Sequence, residues 1–234
     1  MSLDAAAHPD STGTEHQPAW PRYVLVAGGA LALLLLGAAV GLLLALPGSS
    51  STPTAPGPHS VDVGFAQDMT VHHEQAVQMA TWERDHTTDP ELRQLAYDME
   101  SGQSRQIGHM QGWLGLWGAS SLPTGPFMRW MPADMPGHGS SAGHTGVTHM
   151  PGMATDAELR QLRATTGKPL DVYFLQLMLR HHEGGTAMLS YAAHAASQPD
   201  VRNLAAQMLT AQTTESQYMR HLLAARGATP LPPG

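Results

Sequence analysis

Two stretches decide the fold: DVGFAQDMTVHHEQAVQM (Asp62–Met79) and DVYFLQLMLRHHEGGTAM (Asp171–Met188). They superimpose when the chain is slid along itself by 109 residues, and the register runs without a gap to Gly118 and Gly227. Of 57 paired positions 18 are identical, about a third. The chain is therefore an internal duplication, with each half a single supersecondary unit. His72 and His73 match His181 and His182, and Glu74 matches Glu183. Met69, Met79, Met99 and Met110 match Met178, Met188, Met208 and Met219. Copies that have drifted at two-thirds of their positions have kept all four methionines and both histidines.

Each half reads as a helical hairpin. The first helix starts near Asp62 or Asp171, each a candidate N-cap. A break follows at Asp89-Pro90 or Gln198-Pro199, where proline suits a first helical turn. The second helix runs to Gly118 or Gly227, where glycine suits a C-cap. Gly102, Gly108, Gly112 and Gly115 weaken the second helix at roughly 1 kcal/mol each, which predicts fraying or close packing at its end. Thr155 and Glu158 form a capping box that opens a short helix ending at Gly167. The expected architecture is all-α: a four-helix bundle over 62–228, with hairpins at 62–118 and 169–227, a loop at 119–154 and a short helix at 155–167.

At about 100° per residue, Phe65, Met69, His72, His73, Ala76, Met79 and Ala80 share one stripe, and Glu74 points away from it. The second helix carries a matching stripe of Met99, Gln103, Gln106 and Met110; in the other half it is Met208, Gln212, Glu215 and Met219. Each half thus directs two histidines and four methionines at the bundle axis. Methionine fills cores well, and four histidines could satisfy one another and the glutamines by hydrogen bonds alone. The other reading is a metal site, since imidazole and thioether are the borderline and soft ligands that suit copper. The expected core ligands are His72, His73, His181, His182, Met69, Met79, Met178, Met188, Met99, Met110, Met208 and Met219.

The loop between the halves offers a second set. MRWMPADMPGHGSSAGHTGVTHMPGM (Met128–Met153) holds Met128, Met131, Met135, Met150 and Met153 with His138, His144 and His149. The expectation is a weaker, replaceable metal-binding loop, whose deletion leaves the bundle folded.

The rest of the chain frames these features. There are 234 residues with 14 Met, 14 His and no Cys, and a net charge of -7. Without cysteine there are no disulfides, thiolate zinc sites, Fe–S clusters or cysteine nucleophiles. Twelve Lys and Arg against that net charge argue against a nucleic-acid partner. No nucleophile elbow, P-loop or dinucleotide fingerprint occurs, and the expectation is a protein that is not an enzyme. Val24–Leu46 is 23 residues without a charge, long enough to cross a bilayer. It is longer than the usual signal-peptide core, and the leader before it carries Asp4, Asp10 and Glu15 against Arg22 alone. The expected organisation is a disordered tail (1–22), a transmembrane helix (23–46) and a Pro/Ser/Gly linker (47–61). Arg22 favours the N-terminus inside and the bundle outside; secretion after cleavage is the alternative.

The pattern F-x-x-x-M-x-x-H-H-E-x-A-x-x-M-A (Phe65–Ala80), its second copy (Asp171–Met188) and MPGM (Met150–Met153) resemble the bacterial "domain of unknown function 305" family. The resemblance covers about 61–228. It implies a ferritin-like fold and an extracytoplasmic copper-binding role, reaching His72, His73, Met79, His181, His182 and Met188. Gly184-Gly185-Thr186 departs from the family pattern, a matter of packing more than ligation. Three functions follow as expectations. The first is a membrane-anchored copper-binding protein for sequestration, tolerance or transfer. The second is a structural or interaction bundle without metal. The third is a ferritin-like di-metal oxidase, for which only Glu83-Arg-Asp-His86 supplies an E-x-x-H motif, its counterparts being Ala192 and Ala195.

Overall fold

A computed structural model describes residues 20–45, 55–132 and 146–233. Residues 1–19 of the expected tail, 47–54 of the expected linker and the loop ligands Met135, His138 and His144 lie outside the described residues, while residues 20–22 of that tail belong to the first helix. The described residues form two units, 1–54 and 55–234. The first contains one helix, α1 (Trp20–Ala45). Within it Tyr23–Leu42 is long and apolar enough to cross a membrane, and its leucines are exposed.

The second unit contains five helices: α2 (Val61–His86), α3 (Pro90–Leu116), α4 (Asp156–Ala164), α5 (Lys168–Ala195) and α6 (Pro199–Ala225). No strand pairs with another among the described residues beyond the bridge Phe127–Val147. α2 packs along α3 and α5 along α6, and the two hairpins meet through α2 and α5. The helix ends follow the punctuation of the sequence. Pro90 and Pro199 sit in first turns, and Gly118 and Gly227 end the hairpins at φ 64° and 65°. Thr155 and Glu158 form the reciprocal capping box of α4. Glu158 also holds Arg180 of α5 through two 2.8 Å hydrogen bonds, which docks the short helix on the second hairpin.

Three expectations about helix ends are corrected. Ser60, not Asp62, caps α2 with its side chain. Gly167, at φ 62°, precedes α5 rather than ending α4, which stops at Ala164. α3 continues through its glycines to Leu116 without close packing, because Cβ positions at Gly108, Gly112 and Gly115 would meet open space.

Asp62 and Asp171 reach across the hairpins instead. Buried Asp62 accepts from the Ser197 amide (3.0 Å), the Ser197 hydroxyl (2.8 Å) and the Gln198 amide (2.7 Å), all at the start of α6. Buried Asp171 accepts from the Thr87 hydroxyl (2.7 Å) at the corresponding α2–α3 corner. A carboxylate near a helix N-terminus satisfies orphan amides and the dipole together. Asp62→Ala is expected to leave three donors unpaired and cost about 2 kcal/mol. Thermal melting measures this, with exposed Asp98→Ala as the neutral control.

The core is two clusters, and the duplicated methionines are sorted between them. One holds Met69 and Met110 of the first half with Met188 and Met208 of the second. The other holds their repeat counterparts, Met178 and Met219 with Met79 and Met99. Along α2 the histidines lie between Met69 and Met79; along α5 they lie between Met178 and Met188. The arrangement is that of a pseudo-two-fold, with a thioether cluster on either side of the histidines.

Candidate metal centre

His72, His73, His181 and His182 are all buried. The His72 and His181 rings lie 3.8 Å apart between centroids, one from each half. His73 lies 6.4 Å from His72, and His182 lies 6.3 Å from His181. The two pairs therefore meet where α2 crosses α5. Burial favours the neutral imidazole at His72, His73 and His181. It pushes His72 down to about 4 and His73 down to about 3, aided at His73 by the charge of its neighbour. Burial pushes His181 well below its ordinary value as well, with His72 next in effect.

Each ring uses the same nitrogen for its hydrogen bond. His181 Nε2 donates to the His72 carbonyl (2.9 Å), and His72 Nε2 donates to the Pro151 carbonyl (3.3 Å). His182 Nε2 donates to Glu215 Oε2 (2.7 Å), and His73 Nε2 donates to Gln106 Oε1 (2.8 Å). A neutral imidazole has one N–H, so a ring donating from Nε2 carries a lone pair on Nδ1. All four Nδ1 atoms are buried without a partner. Gln103 and Gln212 sit at the same level, and neither amide makes any hydrogen bond. A Cβ at Gly185 would stand 3.2 Å from His72 Cε1 and 3.5 Å from Gln212 Oε1, so the His72 ring and the Gln212 amide both lie against this glycine.

A strap, residues 150–154, covers this cluster. The Pro151 carbonyl receives His72, and Gly152 takes φ 79°. A Cβ there would stand 2.5 Å from the Arg180 carbonyl, so only glycine allows the approach to α5. Gln75 grips the end of the strap with both amide atoms, donating to the Ala154 carbonyl (2.9 Å) and accepting from its N–H (2.6 Å). The repeat counterpart of Gln75 is Gly184, and its vacancy receives the backbone of Pro151 and Gly152. Equivalent positions of the two halves thus hold one strap, by a side chain on α2 and by the absence of one on α5.

The loop methionines are placed differently from expectation. Met128, Met131 and Met150 are buried and extend the Met69 cluster. Met153 is half-buried and packs on the same cluster, while His149 is exposed. Met128 N–H donates to buried Asp68 (2.6 Å), as does the Trp130 indole (2.8 Å). The Trp130 ring lies on Gly64, where a Cβ would come within 2.3 Å of it. Both feet of the loop are therefore core, which runs against the expectation that the bundle needs nothing from Met128–Met153. Apolar alternation is too sparse there to reveal the burial from sequence.

The E-x-x-H motif does not face the cluster. Glu83 is buried near Asp171, and burial followed by that neighbouring carboxylate pushes it up to about 8. His86 is exposed and stacks on Trp82. Among the described residues no three His, Asp or Glu side chains converge as a metal-binding group by themselves. A centre built here requires imidazole completed by thioether or amide, which is a donor set that suits copper, Cu(I) above all.

A profile for a domain of unknown function, DUF305, matches residues 62–223. The chain belongs to the DUF305 family. A DUF305 protein from Streptomyces coelicolor shares 41% identity at a TM-score of 0.67, over 75% of this chain and 99% of that one. A DUF305 fragment from Deinococcus radiodurans shares 31% at 0.57, over 74% and 99%. CopM in its Cu(II)-bound form shares 26% at 0.50, over 70% and 95%. No curated protein is a significant sequence match. The DUF305 core of this chain therefore carries the duplicated histidines, the strap and both methionine clusters.

Proposed function

We propose that this DUF305 protein binds copper in the buried histidine cluster, outside the cytoplasm and anchored by α1, for sequestration, tolerance or transfer. The observation that carries the reading is the set of four buried Nδ1 atoms with no partner. Unpartnered buried polar atoms cost roughly 1–3 kcal/mol each, and a soft cation converts that cost into ligation. The methionine clusters on either side supply further donors without introducing charge, as suits a monovalent ion. The Cu(II)-bound CopM structure supports the choice of metal. Its Cu(I)-bound form, at 22% identity and a TM-score of 0.52, supports the fold alone. The single Arg22, in the first turn of α1 and just ahead of the uncharged Tyr23–Leu42, supports an anchor with the bundle outside.

The test is the metal content of the full chain, purified in detergent after growth with copper. Copper is expected at one or more equivalents, with iron and zinc at background. A His73→Gln/His182→Gln variant that keeps its helical circular dichroism is expected to lose at least tenfold in copper affinity. Met153→Leu is expected to change it less than threefold. Equal copper binding by the histidine variant would refute the reading.

A further inference from the structure

The duplication is broken at the position that holds the outer ring of each half. His182 Nε2 donates to a carboxylate, Glu215 Oε2, at 2.7 Å. The equivalent His73 Nε2 donates to an amide, Gln106 Oε1, at 2.8 Å. Positions 106 and 215 are repeat counterparts on α3 and α6, and the histidines they hold are counterparts on α2 and α5. The geometry is nearly the same and the chemistry is not.

A carboxylate can only accept, so Glu215 holds the proton on His182 Nε2 and leaves Nδ1 as the nitrogen that faces a metal. An amide reverses its role with a half-turn about its last bond. Gln106 can accept from His73 Nε2–H, or it can donate to a bare Nε2 and leave the proton on Nδ1. The two central rings have no such freedom, since His72 and His181 donate to backbone carbonyls. Three imidazoles are therefore held ready as Nδ1 ligands, and only His73 can turn its proton inward. Glu215 adds a negative charge behind its ring, which strengthens the imidazole as a donor and offsets the charge of a bound cation.

Resting on the copper reading above, we propose that Glu215 makes the two halves inequivalent: copper loads first at the His182 side, and the His73 side follows. Glu215 is a positioning residue acting through His182. Its half-buried place suits this, with 31% of its side chain exposed so that the charge is solvated on the outer side.

The experiment uses the full chain in detergent with 15N-labelled histidine. Ring-nitrogen spectra without metal read the tautomers directly. Wild type is expected to show a single Nε2–H form at His182 and a mixture at His73. Glu215→Gln is expected to turn His182 into a mixture, and Gln106→Glu to make His73 single. Cu(I) ions are then added anaerobically in steps, and the shift of each ring-nitrogen signal on ligation reports which imidazoles each step reaches. In wild type His182 shifts before His73, with steps separated by at least tenfold in affinity. Gln106→Glu merges the steps, and Glu215→Gln weakens the first about tenfold. A His182 tautomer unchanged in Glu215→Gln overturns the positioning role. Copper that shifts His73 and His182 together in wild type overturns the loading order while leaving the copper reading intact. Copper that shifts none of the four overturns both.

Discussion

Acidifying the metal-free protein from pH 7 to pH 4 is expected to unfold the paired hairpins, with loss of helical circular dichroism. His72 and His73 titrate at about 4 and 3 when folded and near 6.5 when unfolded, and His181 is shifted in the same direction. The unfolded chain thus binds protons first, and the stability these rings contribute is present above pH 6.5. It is lost as pH falls from 6.5 through the folded values. His72 alone accounts for about 3 kcal/mol by the size of its shift. Two carboxyls act in the opposite sense. Glu83 is raised from 4.5 to about 8 and Asp68 from 3.8 to about 6, both first by burial. Their contributions are present at low pH and are lost as pH rises through those folded values. Three histidines against two carboxyls leave a net loss on acidification between pH 6 and 4.5. Above 6.5 Glu83 alone acts, so maximum stability falls near pH 6.5. A pH series of thermal melts checks this; a melting temperature unchanged at pH 4 would contradict the buried neutral histidines.

Gly184→Ala is expected to be the most damaging small substitution in α5. A Cβ there would stand 2.3 Å from the Pro151 carbonyl oxygen and 2.5 Å from the Gly152 amide nitrogen. Both are backbone, so relief requires the strap to lift from the helix. His72 then loses its acceptor, and Met150 loses its place in the core. The cost is about 3 kcal/mol, or a fall of roughly 6–12 °C in melting temperature for a domain of this size. Gly185→Ala is the internal control. Its Cβ would meet His72 Cε1 at 3.2 Å, and its repeat counterpart is already Ala76. It is expected to cost less than about 1 kcal/mol. Equal melting of the two variants would show that the strap is not seated as described.

The residues that could be read from sequence are those with a period or a copy. The 109-residue repeat exposed the hairpins, the two histidine pairs and the four methionine pairs, because duplication shows them twice. Pro90, Pro199, Gly118 and Gly227 marked helix ends through backbone chemistry alone. Asp62 and Asp171 misled because an aspartate at the start of a helix resembles a cap for that helix, and nothing local reveals that its partner lies at the other hairpin's corner. The strap was hidden for a related reason. MPGM belongs to a Gly/Pro stretch without periodicity, and its burial depends on the missing side chain at Gly184 and the long one at Gln75. Glu215 was visible as one polar residue on the α6 stripe. Its meaning required the position of His182 Nε2.

Copper K-edge X-ray absorption on the full chain carrying one equivalent of Cu(I) tests the central claim most directly. Copper held in the buried cluster gives imidazole nitrogen scattering together with thioether sulfur, and His73→Gln/His182→Gln reduces the nitrogen contribution. Sulfur scattering alone, unchanged in that variant, would place the metal among methionines away from the histidines and contradict the account.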